Sequence, residues 1–199
     1  MKIDTITVGP MGNCAYVISQ NGFAILVDPA WDFDEIERAL RGQNLAAVFF
    51  THGHFDHVKD AELFLRAHKM KAYIEESDAA LSGLPDDVIQ TFSGDKKLKI
   101  ENFDIEILHT PGHTAGCVCV KTGENIFTGD TLFPGACGRV DFPGSNPRQM
   151  RESLYRLSQL PGKTKIYAGH AYGGGSTSTI EYERARNRFM QNAIRDYAK

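Results

Sequence analysis

An apolar run, Ala46–Phe50, leads directly into Thr51-His52-Gly53-His54-Phe55-Asp56-His57, and an amphipathic segment from Val58 to His68 follows. Three imidazoles and a carboxylate fall within six residues, in a tight loop between a strand and a helix. A loop at the end of a buried strand can aim several side chains at one point, because a rigid element holds its base. Neutral imidazole and carboxylate are ligands for zinc, iron and manganese. Packed so closely without a cation, these groups would repel protons and lose solvation. The stretch therefore demands a fold that ends a strand at a metal site.

The rest of the chain repeats that arrangement. Lys2–Gly9 alternates as a strand, Pro10–Asn13 turns, and Cys14–Ser19 is a second strand with a hairpin signal at Gln20-Asn21-Gly22. Phe23–Val27 is almost wholly apolar, as expected of a strand buried on both faces, and stops at Asp28-Pro29. Helical spacing runs over Asp32–Leu40, with Asp32 or Asp34 as N-cap and Gly42 as stop. Leu45–Phe50 is the strand that delivers the histidine loop, and Val58–His68 the helix after it. A short strand at Ala72–Ile74, a helix near Ser77–Leu81 and a loop over Leu84–Asp95 come next. Leu98–Ile100 and Phe103–Leu108 form a hairpin, and Cys117–Lys121 and Asn125–Thr128 another. Phe133–Gly144 reads as irregular. Asn146–Leu157 is a helix, Thr164–Tyr167 the last strand, and a final helix begins after Ser178, with Glu181 completing a capping box. No linker or composition break divides residues 1–199, which read as one domain. Two strand-rich halves, each followed by a helix, suit an α+β fold of two packed sheets with helices outside.

Composition narrows the function. A net charge of −3 makes no electrostatic case for nucleic acid or an anionic membrane. No apolar run approaches the roughly 20 residues that span a bilayer, and the first residues lack the apolar stretch of a signal peptide. The expected compartment is the cytoplasm. Cys14, Cys117, Cys119 and Cys137 form no C-x-x-C pair and read as buried thiols.

Seven ligand-type side chains lie where a predicted strand meets a loop: His52, His54, Asp56, His57, His113, Asp130 and His170. That is enough for two divalent metal ions sharing one carboxylate. Such ions, about 3.5–4 Å apart, can hold a hydroxide between them and polarise the bond under attack. Five of the seven histidines are used in this way. Alone, His113 or His170 would be an ordinary loop histidine and Asp130 a turn former; the first motif draws them in. His68 belongs to a helix end, and His109 to loop packing.

Thr51–His57, Thr110-Pro111-Gly112-His113-Thr114, Thr128-Gly129-Asp130-Thr131-Leu132-Phe133 and Ala168-Gly169-His170 resemble, in order, the successive metal motifs of the metallo-β-lactamase superfamily. The resemblance covers nearly the whole chain. It implies a four-layer αβ/βα sandwich of two mixed sheets, with His52, His54 and His113 on one metal, Asp56, His57 and His170 on the other, and Asp130 between them. Zinc is the first expectation for both ions, with iron or manganese as alternatives. Within the superfamily, Gly129–Phe133 and Ala136-Cys137-Gly138-Arg139 resemble the glyoxalase II (hydroxyacylglutathione hydrolase) branch. That branch implies hydrolysis of a small-molecule thioester, a glutathione conjugate, with Asp56 orienting the attacking hydroxide. Arg139 would grip a glutathione carboxylate, and Tyr172 with Gly173–Gly175 would line the cleft.

Three departures separate the chain from that branch. Ala171 stands where it has glycine after the last histidine, Asp141 stands where an aromatic follows the basic residue, and with Lys199 as the last residue the extra C-terminal helical domain of long members is not expected. Gly138–Phe142, His170–Tyr172 and Ser176–Ile180 also resemble persulfide dioxygenases, which hold one iron on the equivalents of His52, His113 and Asp130. Hydrolysis of a thioester, hydrolysis of another ester or lactone, and iron-dependent oxygenation of a persulfide therefore all stand open on the sequence.

Overall fold

The structure is a computed structural model describing residues 1–172 and 175–197. Strand β2 (Asn13–Gln20) runs antiparallel to both of its neighbours, β1 (Lys2–Val8) and β3 (Phe23–Val27). Helix α1 (Phe33–Leu40) leads to β4 (Asn44–Phe49), which lies parallel to β3. Helices α2 (Phe55–Val58) and α3 (Ala61–Ala67) precede β5 (Ala72–Glu75), and α4 (Glu76–Ser82) precedes β6 (Ile89–Phe92). Among the described residues these strands form one sheet in the order β1 to β6. The second half supplies β7 (Lys96–Ile100), β8 (Phe103–His109), β9 (Val118–Thr122) and β10 (Asn125–Gly129), then a small hairpin of β11 (Leu132–Phe133) and β12 (Ala136–Cys137). It continues through α5 (Pro147–Ser158), β13 (Lys165–Ala168), β14 (Thr177–Thr179), α6 (Ile180–Arg186) and α7 (Arg188–Tyr197). The second sheet has the order β14-β13-β10-β9-β8-β7.

Alternation along the strands builds three apolar layers. In β2 and β3, Tyr16, Ile18, Ile25 and Val27 face Phe103, Ile105, Ile107, Val120 and Phe127 of the other sheet. Their neighbours Val17, Ala24 and Leu26 face the opposite way, onto Ile36 and Leu40 of α1 and Phe64 and Leu65 of α3. Beyond the second sheet, Cys119, Ile126 and Ile166 pack on Leu154, Leu157, Ile180 and Met190. The order is helix, sheet, sheet, helix, as the sequence suggested. No described helix is long and apolar enough to cross a membrane.

Five local expectations change. The helix read over Val58–His68 is two helices, because Asp60 takes a left-handed backbone (φ 62°) that splits them, and the first begins earlier, at Phe55. The segment Leu84–Asp95 contains β6, an edge strand whose exposed Gln90 and Thr91 hide its period. The irregular stretch contains the β11–β12 hairpin. Ser178 lies inside β14, so the cap of α6 is Thr179, whose hydroxyl accepts from Tyr182 N. Asn187 then separates α6 from α7. Its Nδ2 donates to Phe133 O and Ala136 O, and its Oδ1 accepts from Phe189 N and Met190 N. All four cysteines are free; three are buried and Cys137 is half-buried.

The two sheets are sewn together along one edge. Val118 N donates to Thr51 O at 2.8 Å, Cys14 N donates to Gly169 O at 2.8 Å, and Tyr16 Oη donates to Ala168 O. The chemical loops meet at this edge.

Candidate metal centre

β4 ends against a fixed partner. Asp28, just beyond β3 with φ 50°, accepts from Thr51 N at 2.7 Å and from Thr51 Oγ1 at 2.6 Å. That anchors the start of the histidine loop. α2 then turns Asp56 and His57 inward. His113 arrives on the β8–β9 connection, Asp130 just after β10 and His170 just after β13.

The structure brings all seven predicted residues together. Donor atoms of His52, His54 and His113 lie within 4.8 Å of one another, as do those of His52, His57 and Asp130 and those of Asp56, His57 and His170. His54 Nδ1 approaches His113 Nε2 to 2.9 Å, and His57 Nε2 approaches His170 Nε2 to 3.3 Å. Two ring nitrogens at such distances need a proton or a cation between them. Asp130 reaches both sides: Oδ1 lies 3.4 Å from His57 Nε2 and Oδ2 lies 3.4 Å from His113 Nε2.

The outer nitrogens are tied down. His57 Nδ1 donates to Asp28 Oδ2 at 2.9 Å, His113 Nδ1 to Arg139 O at 2.8 Å and His170 Nδ1 to Met11 O at 3.2 Å. Each contact occupies Nδ1 and leaves Nε2 as the nitrogen aimed inward, the arrangement that metal-ligating histidines require. Asn13 Nδ2 holds Asp56 Oδ2 at 2.8 Å, and Trp31 Nε1 donates to Asp56 O. His52 Nε2 and Asp130 Oδ1 are buried with no hydrogen-bond partner. Unpaired buried polar atoms are costly. Here both converge on the cluster, so the donor set fits divalent cations.

The electrostatics divide the cluster. Burial, reinforced by the neighbouring His57, holds His52 well below its ordinary pKa, and burial with His113 lowers His54. Burial also opposes charge on His57 and His170, but carboxylates outweigh it. Asp28 and Asp130 raise His57 well above its ordinary value, and Asp130 and Asp56 raise His170 to about 9. In return the histidines overcome burial and lower Asp56 and Asp130. A cation must displace the protons of His57 and His170, so its binding competes with acid.

Of the two substrate-binding candidates, Arg139 is exposed, and its forked donors are taken by Asp141 at 2.9 and 2.8 Å. Its guanidinium sits 4.2 Å over the Phe142 ring, which in turn meets His54 and His113 edge-on. Tyr172 is exposed and stacks on the His170 ring at 4.7 Å. The two aromatics therefore flank the cluster. Gly173 and Gly174 lie outside the described residues. His109 Nε2 contacts Ala115 O, a loop-packing role, while His68 pairs with Glu37. A groove of about 540 Å³ lined by Lys97, Asp104, Glu106 and Lys121 contains none of the cluster residues. Asn13, Asp28, Trp31, Asp78 and Phe142 escaped the sequence reading. Only Asp28 carried a signal, as the polar residue ending a buried strand before proline.

Residues 8–170 match the model of the metallo-beta-lactamase superfamily. The chain is 35% identical over 191 residues to a hydroxyacylglutathione hydrolase of Tolumonas auensis, covering 94% of this chain and 72% of the relative. It is 30% identical to a probable polyketide biosynthesis zinc-dependent hydrolase of Bacillus subtilis, covering 93% of this chain and 84% of the relative. A protein solved in a di-iron-bound form superposes with a TM-score of 0.80 at 29% identity, covering 94% of this chain and 99% of that one. The chain belongs to the metallo-β-lactamase superfamily. Its αβ/βα sandwich and its edge cluster of histidines and aspartates are those of a metal-dependent family whose relatives differ in the metal they are named for.

Proposed function

We propose that this chain is a binuclear metal-dependent hydrolase that opens a thioester of the hydroxyacylglutathione type. The observation that carries the reading is the convergence of seven donors in which His52 Nε2 and Asp130 Oδ1 are buried without a partner. His52, His54 and His113 would hold one ion, Asp56, His57 and His170 the second, and Asp130 both. Bound divalent ions supply Lewis acidity, lowering the pKa of water and polarising the carbonyl; zinc is the first choice and iron the second.

The side chains do the rest. Asn13 fixes Asp56 through Oδ2, the oxygen that faces His57 and His170, so the carboxylate is held in place to orient the attacking water. Asp28 keeps the proton of His57 on Nδ1, away from the reacting side. Tyr172 covers His170, and Phe142 with Arg139 forms the facing wall, so the scissile bond sits between two ring systems. A thiolate leaving group, with an ordinary pKa of about 8.5, departs without a proton donor. The 35% identity to a hydroxyacylglutathione hydrolase supports the thioester.

The test is metal analysis of protein purified without added metal, read beside turnover of lactoylglutathione, simpler thioesters, a lactone and glutathione persulfide. Two ions per chain with thioester cleavage is the expected result. One iron per chain with O₂ uptake on the persulfide would overturn it in favour of the dioxygenase chemistry.

A further inference from the structure

Asp78 is a carboxylate that the chemistry above does not use. It lies in the first turn of α4 and is 1% exposed. Among the described residues no lysine, arginine or histidine pairs with it. A buried charge without a counter-ion persists only where hydrogen bonds replace its lost water. Asp78 receives three. Oδ2 accepts from Gly53 N at 2.8 Å and from Thr114 Oγ1 at 2.7 Å, and Oδ1 accepts from Gly116 N at 2.8 Å.

The donors come from two loops. Gly53 sits between His52 and His54 at the end of the first sheet. Thr114 follows His113 in the loop that joins β8 and β9 of the second sheet, and Gly116 is two residues further on. Both loops close tightly on this residue: a Cβ on Gly53 would fall 2.6 Å from Asp78 O, and one on Gly116 would fall 2.6 Å from Asp78 Cγ. The helix that carries Asp78 is itself pinned, because Glu75 caps it by accepting from Ser77 N and also accepts from Gly94 N. One carboxyl side chain thus bridges the two segments that supply His52, His54 and His113. Asp28 makes its own contacts on the other side, to Thr51 and His57.

We propose that Asp78 is the positioning residue of the His52/His54/His113 group: it sets the spacing of the two loops across the sheets, and its loss weakens the ion held there while sparing the one held by Asp56, His57 and His170. The assignment rests on the proposed two-ion reading. Asparagine keeps the shape of Asp78 but turns one acceptor into a donor that faces a backbone N–H, so at least the Gly116 contact is replaced by an opposed pair of donors. Loss of such an outer partner typically weakens metal binding about 10–100-fold.

The experiment is a zinc titration against a chromophoric chelator, run on the native chain, Asp78→Asn, His54→Ala, His170→Ala and the two double variants. Asp78→Asn should weaken one of the two ions about 10–100-fold. The loss should vanish in the His54→Ala background, where that group is already broken, and persist in full in the His170→Ala background. Equal losses in both backgrounds would mean a general loosening of the edge and would overturn the assignment, as would native-like affinities in Asp78→Asn. Thr114→Val removes one donor and leaves the carboxylate on Gly53 and Gly116; it should give a several-fold loss with the same selectivity, and it decides the question if Asp78→Asn does not fold. A native chain that takes up no zinc, iron or manganese would sink the two-ion reading and this assignment together, whereas two native ions with unchanged variants would sink this assignment alone.

Discussion

Replacing Asp28 by asparagine should misplace a single proton. As a carboxylate Asp28 can only accept, so its 2.9 Å contact fixes the proton of His57 on Nδ1 and leaves Nε2 bare toward Asp56, Asp130 and His170. In Asp28→Asn the carbonyl can keep Thr51 N, and the Thr51 hydroxyl can turn to accept from the new amide. The remaining amide hydrogen meets His57 Nδ1, which must then accept, and the imidazole proton moves to Nε2. The stability cost is one charged hydrogen bond, about 1.5–3 kcal/mol, because the two Thr51 contacts survive in altered form. The cost in metal binding is larger in consequence, since a protonated Nε2 cannot ligate. A 10–100-fold loss for one ion, about 1.4–2.7 kcal/mol, is expected. Chelator competition reads the affinity, thermal melting of the chelated protein reads the stability, and nitrogen NMR of the ring reads the tautomer. If Asp28→Asn kept the Nδ1–H form of His57 and bound both ions as the native chain does, the reasoning would be wrong.

Three further outcomes follow from the same contacts. In protein stripped of metal, His170 is raised from 6.5 to about 9. Its contribution, at most about 3 kcal/mol at 1.36 kcal/mol per unit, is complete below pH 6.5 and lost as pH rises through about 9; melting in EDTA at pH 6 and pH 9.5 should show a drop that His170→Ala reduces, the remainder coming from His57, which its carboxylates also raise. Asp141→Ala frees the Arg139 fork and should raise kcat/KM for lactoylglutathione several-fold, with no change for a thioester lacking carboxylates and no gain when Arg139→Ala is added. Asn187→Ala strips a fully buried amide from Phe133 O, Ala136 O and Glu183, which keeps Gly135 N and Ser178 Oγ; the lost contacts should cost about 2–4 kcal/mol, read as a lower Tm.

What the sequence disclosed depended on how local the cause was. β3 is apolar throughout because both its faces are covered, and a continuous run is visible without partners. The helix at Asn146 was equally plain: its Oδ1 accepts from Arg148 N and Gln149 N, and Pro147 follows it. β6 was hidden because an edge strand buries only its ends. The break at Asp60 was hidden because a left-handed aspartate leaves no pattern in the residues around it. In the site, the seven donor residues were legible as residue types at strand ends, and the structure gathers them. Asp78 was not, and Asp28 showed only as the polar end of a buried strand, because each acts on loops 23 to 38 positions away.

On the proposed reading the site residues divide into two kinds. The donors stand on backbone that both sheets hold: Thr51 is bonded to Val118 across the gap, Gly169 to Cys14, and His170 bridges to Asn13. Moving any one of them disturbs the closure of the sandwich, so ion binding on the proposed reading is part of folding. Arg139, Asp141 and Tyr172 are exposed, and Arg139 makes its ion pair within its own loop. Substituting them costs the fold little. On the proposed reading, a scaffold built this way would keep its metals while its substrate wall is free to change, and in this chain Asp141 draws off the guanidinium of Arg139 that would grip a glutathione carboxylate.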